Sequence, residues 1–133
     1  MCLHTITKEY DPPDEQERIG FKILKFGRAP IYDFKFKKNE WVCDDKDLII
    51  NSYYTSYKSG FHVYSGINCI HSVDIKYIRE QCLPGIEIYK VMCRKVLCEG
   101  FGEALYGERS YGFGYGKIIV CKEIKILDKI TIP

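Results

Sequence analysis

Two long runs of alternating character, IEIYKVMCRKVLCE at 86–99 and KIIVCKEIKIL at 117–127, constrain the fold more than any other feature of the chain. Period-two alternation suits a strand with one buried face. Where it blurs, as in KVMCRKVLC, both faces are partly covered. The runs read as the two longest strands, joined by GFGEALYGERSYGFGYG at 100–116. That connection carries six glycines, five aromatic rings and Arg109.

Shorter alternating runs accompany them. IGFKILKF at 19–26 and IYDFKFKK at 31–38 read as a hairpin whose GRAP turn displays Arg28, and GFHVYS at 60–65 reads as a further strand. Residues 39–59 form a connection holding one or two short strands, and ITI at 130–132 a last one. One segment is helical: in CIHSVDIKYIREQCLPG at 69–85, Ser72 caps the start, Val73, Ile75, Tyr77 and Ile78 form an apolar stripe, and Pro84-Gly85 stops it. Residues 1–18 are expected to be irregular, because the prolines of DPPDE fix φ and disfavour helix before them. The order of elements predicts an α+β fold, a mainly antiparallel sheet with one main helix, in a single domain over 1–133. The long two-faced strands expose more sheet than one helix covers, which favours assembly as a homo-oligomer.

Composition excludes several classes. At 46% hydrophobic and 29% charged the chain is globular in character, and no apolar run approaches the roughly 20 residues of a membrane span. The start resembles no signal or transit peptide, so the expected location is the cytoplasm. Seven cysteines, an odd number, then read as reduced, packed thiols. Two Cys-x-His dipeptides, Cys2/His4 and Cys69/His71, offer four zinc ligands on paper, but there is no Cys-x-x-Cys and such dipeptides arise readily by chance. No metal and no cofactor is expected. A net charge of +2 argues against a nonspecific grip on DNA or RNA phosphates. Any anion site is therefore local, which makes the five arginines, Arg18, Arg28, Arg79, Arg94 and Arg109, worth placing.

Catalytic patterns are missing: no nucleophile elbow, phosphate loop or metalloprotease spacing appears. His62, in a strand beside aromatics, reads as a structural hydrogen-bonder rather than an acid–base catalyst. Binding fares better. Segments 53–64 and 101–115 hold ten of the nineteen aromatic residues, where an even spread would give about four. Glycines admit a ligand close to backbone N–H groups, tyrosines offer a stacking face and a hydroxyl, and Arg109 adds an anion fork. The combination suits a nucleotide. GFGYG precedes a strand rather than a helix, so it is no dinucleotide fingerprint.

The N-terminal MCL, the GFKILKFG strand, the aromatic and basic segment ending in Trp41, SGFHVY leading to a helix, and a last strand pair around a Gly/Tyr loop resemble small phage and prophage proteins. Among them the chain resembles the first-described family of Thoeris anti-defence (Tad) sponges. The resemblance covers nearly the whole chain and implies a protein that is not an enzyme. It would sequester cyclic ADP-ribose isomers in the host bacterial cytoplasm, and cyclic di- or trinucleotides at separate arginine-lined sites. It would self-associate into dimers and hexamers with pockets between subunits. By the same resemblance Arg28 and Arg109 contact phosphate, while Phe61, His62, Tyr64 and Arg94 wall the ADP-ribose pocket. Asn68 bonds an adenine edge or ribose. The ring-rich loop adds Phe101, Tyr106 and Tyr111. Each has an ordinary alternative: solvated turns for Arg28 and Arg109, core for Phe61, a sheet-surface ion pair for Arg94, a turn or cap for Asn68. The alternative function is a phage inhibitor that contacts a host defence complex directly.

Overall fold

The computed structural model describes residues 3–27, 35–51, 55–70, 72–80, 85–102 and 116–131. Among them the chain is mostly antiparallel sheet. Strands β1 (Leu3–Asp14), β2 (Arg18–Lys25), β3 (Trp41–Cys43), β4 (Ile49–Asn51), β5 (Ser56–Lys58) and β6 (Phe61–Tyr64) precede a 3-10 turn (Ile67–Cys69) and helix α1 (Ser72–Arg79). Strands β7 (Ile86–Gly102) and β8 (Gly116–Ile130) follow. No helix among the described residues is long and apolar enough to cross a membrane.

The two long runs pair with each other along their whole length, from Ile88↔Ile130 to Gly102↔Gly116. On its other edge β7 takes two partners end to end. β2 lies on Ile86–Cys93 and β1 on Val96–Gly102. β6 pairs with β8 and, through Phe21↔Tyr64, with β2, so β7, β2, β6 and β8 form a closed circuit. Only glycine fits at position 20, where the closing strands touch: a Cβ there would overlap the Val63 side chain and the Tyr64 carbonyl oxygen.

Both faces of the sheet are buried. One apolar cluster gathers Ile23, Tyr64, Ile86, Ile88, Ile118 and Val120 with Tyr57 of the β4–β5 hairpin, against Ile75 and Ile78 of α1. The other holds Leu24, Phe36, Val63, Val91, Cys93, Val96, Ile119 and Cys121. Bulges explain the blurred alternation of β7. Lys95 at φ 56° and the register shift at Val96/Cys98 break the alternation: Cys93 and Val96 share one cluster, and Leu97 and Cys98 both serve the other.

Two expectations are corrected. Residues 1–18 are not irregular: β1 occupies Leu3–Asp14. Its prolines are tolerated because β1 is an edge strand and Pro12 and Pro13 fall within a bulge, where the ladder steps from Glu9↔Cys98 to Asp14↔Val96. The described part of 31–38 does not pair with β2. Lys38 bridges Ile126 in parallel, and Phe36 is buried edge-on to Phe61 at 5.8 Å between centroids. The ring Phe36 finds in the core, rather than a neighbouring strand's edge, decides its place.

Candidate functional site

β6 distributes its side chains by strict alternation. Phe61 and Val63 serve one cluster, and His62 and Tyr64 face the other. Phe61 thus packs with Phe36 and does not share a wall with His62.

His62 is bound into the fold. Its Nε2 lies 2.9 Å from the Tyr57 hydroxyl, which accepts the Leu3 N–H at 3.1 Å. Burial, and then the nearby Lys22 ammonium, push the imidazole down to about 3, against a bond to the Gly60 carbonyl that favours protonation. The ring is neutral at physiological pH. Nε2 accepts from Tyr57, and the proton resides on Nδ1. This is the structural hydrogen-bonder anticipated from its strand context.

Lys22 is 7% exposed and donates to the His62 carbonyl at 2.8 Å. Burial lowers its ammonium to about 8, with a small opposing effect from Cys121.

Tyr64 is fully buried, and its hydroxyl is the one buried side-chain polar atom among the described residues without a hydrogen-bond partner. Burial first, and then the charge of fully buried Asp74 on α1, raise the phenol above its ordinary range. The ring lies directly under Gly116, where a Cβ would crowd Tyr64 Cε1 and the Cys69 carbonyl. Asn68 is exposed in the 3-10 turn, its Oδ1 3.8 Å from Cys69 Sγ, which in turn lies 3.3 Å from Ser65 Oγ.

Arg94 is committed to the sheet surface. Its Nε bonds Glu123 Oε1 at 3.1 Å, Nη1 lies 3.7 Å from Glu17, and the guanidinium stacks 3.8 Å over the Trp41 ring. Sequence offered this ion pair as the alternative to a ligand contact.

Phe101 is 36% exposed opposite Lys117, one rung before the last pair Gly102↔Gly116. Tyr106, Arg109 and Tyr111, in the loop that leaves from that rung, lie outside the described residues, as does Arg28. The roots of the two arginine loops are nonetheless fixed. The first leaves β2 beyond Lys25↔Ile86, through Phe26 (φ 52°) and Gly27 (φ 73°), and returns where Phe36 N–H bonds the Gly27 carbonyl at 3.0 Å. The second leaves from the far end of β7. The two roots thus lie at opposite ends of β7, and of the described candidates Phe61 and His62 face different clusters.

A second charged constellation was not anticipated as a site. Arg18 Nη1 bonds Glu99 Oε2, and Nη2 bonds Asp14 Oδ2 at 2.7 Å and the Tyr10 hydroxyl at 3.0 Å. Tyr10 donates to Glu99 at 2.8 Å, and Lys117 Nζ is 3.3 Å from the other carboxylate oxygen. Burial opposes ionisation of Glu99, but Arg18, Tyr10 and Lys117 outweigh it and hold its carboxyl below the ordinary range. The network ties β1, β2, β7 and β8 together. The scarcity of arginine made Arg18 a residue worth placing, but nothing in the sequence signalled its partners.

Comparison of the chain with protein-family models, with curated proteins and with solved structures finds no match.

Proposed function

We propose that this chain is a non-catalytic binding protein that captures a cyclic ADP-ribose-type signal nucleotide and leaves it intact, as its resemblance to the Thoeris anti-defence sponges implies. The observation that carries the reading is the mounting of the 103–115 segment. A stretch bearing Tyr106, Arg109 and Tyr111 is hung from the most extensively paired strands of the fold, and the ladder runs to its very root at Gly102↔Gly116. Stacking rings and a guanidinium fork gain most when the scaffold beneath them is rigid. Phe101 and Lys117, opposite each other at that root, extend the same chemistry onto the sheet.

The segment bearing Arg28, rooted at the other end of β7, supplies a second anion site suited to a cyclic di- or trinucleotide. The separation of the loop roots favours pockets completed between subunits, hence self-association into dimers and hexamers, over one pocket per chain. Such a sponge acts in the host bacterial cytoplasm on behalf of a phage or prophage. A micromolar signal demands about −10 kcal/mol or better, within reach of several stacked rings and two charge-assisted phosphate contacts in an enclosed site.

The test is capture and release. Cyclic ADP-ribose isomers mixed with the protein should disappear from an ultrafiltrate and return chemically unchanged after heat denaturation, with weaker capture by Arg109→Ala. Recovery of a cleaved product would make the protein an enzyme, and nucleotide remaining in the filtrate would remove the reading. A second reading, inhibition by contact with a host defence protein, draws on Leu48 and Ile49, exposed side by side at 58% and 59%. Retention of one host protein by immobilised parent but not by a Leu48→Ser/Ile49→Ser variant would favour it.

A further inference from the structure

The bulge that accommodates the prolines of β1 also opens a cleft. Between Glu9↔Cys98 and Asp14↔Val96 the ladder advances five residues on β1 against two on β7, so β1 bows out from the ladder and Leu97 has no rung of its own on that side. The β4–β5 hairpin stands across the gap, and the space enclosed is about 290 Å³. Its floor is the edge of an apolar cluster, Leu97, Cys98 and Tyr57, each less than 9% exposed. Ile49 forms an apolar wall, and Glu9 and Asp11 form the rim.

The charges at the rim are the informative part. Asp14, Glu87, Glu99 and Glu123 each have a cationic partner within 4 Å. Glu9 and Asp11 have none among the described residues, although Lys58 also lines the cleft. Glu9 also acts on the floor: after burial, its charge is the next cause raising the Cys98 thiol to about 11, which keeps that sulfur protonated and apolar in character.

We propose that this cleft binds a small organic cation, a primary ammonium or guanidinium on an aromatic or hydrocarbon stem. The stem rests on Leu97, Tyr57 and Ile49 while the charge meets Glu9 and Asp11. At a water's share of about 30 Å³ per non-hydrogen atom the cavity takes a ligand of roughly ten such atoms. The proposal uses neither arginine-bearing segment and stands independently of the nucleotide reading.

Phenethylamine, a cation at neutral pH, is the probe, and 2-phenylethanol is its uncharged analogue of the same shape. Methyl NMR of the full chain, titrated to ~10 mM, should show saturable shifts of the Ile49 and Leu97 methyl signals with the amine and much smaller ones with the alcohol. A Glu9→Gln/Asp11→Asn variant, altered only at exposed side chains, should melt at the parent temperature and bind the amine about three- to tenfold more weakly. Equal response to amine and alcohol, equal binding by the variant, or no methyl shift over the titration would each overturn the proposal.

Discussion

One strand, β7, is paired along one edge by two successive stretches of the same chain, and the two halves differ sharply. Against β2 the ladder runs through eight consecutive rungs, Arg18↔Cys93 to Lys25↔Ile86, without a register break. Against β1 it breaks three times between Leu3 and Asp14. The regular half closes the circuit through β6 and leans on tightly packed Ile23, Leu24, Ile88 and Val91. The broken half carries the Arg18–Glu99 network, the tie from Leu3 through Tyr57 to His62, and the cleft at the bulge. Backbone regularity and apolar packing maintain the first half. Charge and hydrogen bonding maintain the second, where the bulges deny it a full ladder.

The largest effect should come from attacking closure. Gly20→Val drives a branched side chain into Val63 and the Tyr64 carbonyl, and should cost about 3 kcal/mol or prevent folding, read by urea denaturation. The regular half also contains its own weakness, Lys22. Its ammonium is depressed to about 8 from 10.5, so the folded state bears the cost of that charge in full below pH 8 and sheds it as pH rises towards 10.5. Lys22→Met should therefore stabilise by about 2 kcal/mol at pH 7. The parent, unlike the variant, should gain stability between pH 8 and 10.

Where β6 meets the broken half through Tyr57, acid is the probe. His62 titrates near 3 when folded and at 6.5 ordinarily, so its contribution is complete above pH 6.5 and is lost as pH falls towards 3. From pH 7 to 5 the parent should lose about 2 kcal/mol that a His62→Gln variant, whose amide oxygen still accepts from Tyr57, does not. Arg18→Ala should cost about 1–2 kcal/mol, between the values of surface and buried pairs. If it costs nothing, charge does not hold this half and the contrast collapses. The smallest expected change is a gain: Tyr64→Phe removes a buried hydroxyl without a partner and should raise stability by about 1 kcal/mol.

Sequence revealed the regular half and hid the broken one, for the same reason that they differ. IGFKILKF, GFHVYS and most of the two long runs obey period-two alternation, and β2, β6, β7 and β8 form at those runs. Helix α1 lies where the Val73–Ile78 stripe placed it. Strand β1 carries prolines and acids that argue against a strand until its edge position and bulges are known, and neither is written locally. At the candidate site, strand context marked His62 as a hydrogen-bonder rather than a catalyst, and for Arg94 it offered the ion pair only as the alternative to a pocket wall. The convergence of Arg18, Tyr10 and Asp14 on Glu99 was not, because it joins residues up to 89 positions apart.

The circuit β7–β2–β6–β8 is complete without β1, which makes the acidic strand a clasp that can be unfastened. A chain cut after Asp14 keeps every rung of the closed loop while giving up Leu3 from the core. It bares the Val96–Gly102 border as a template onto which a separate peptide of residues 3–14 would anneal.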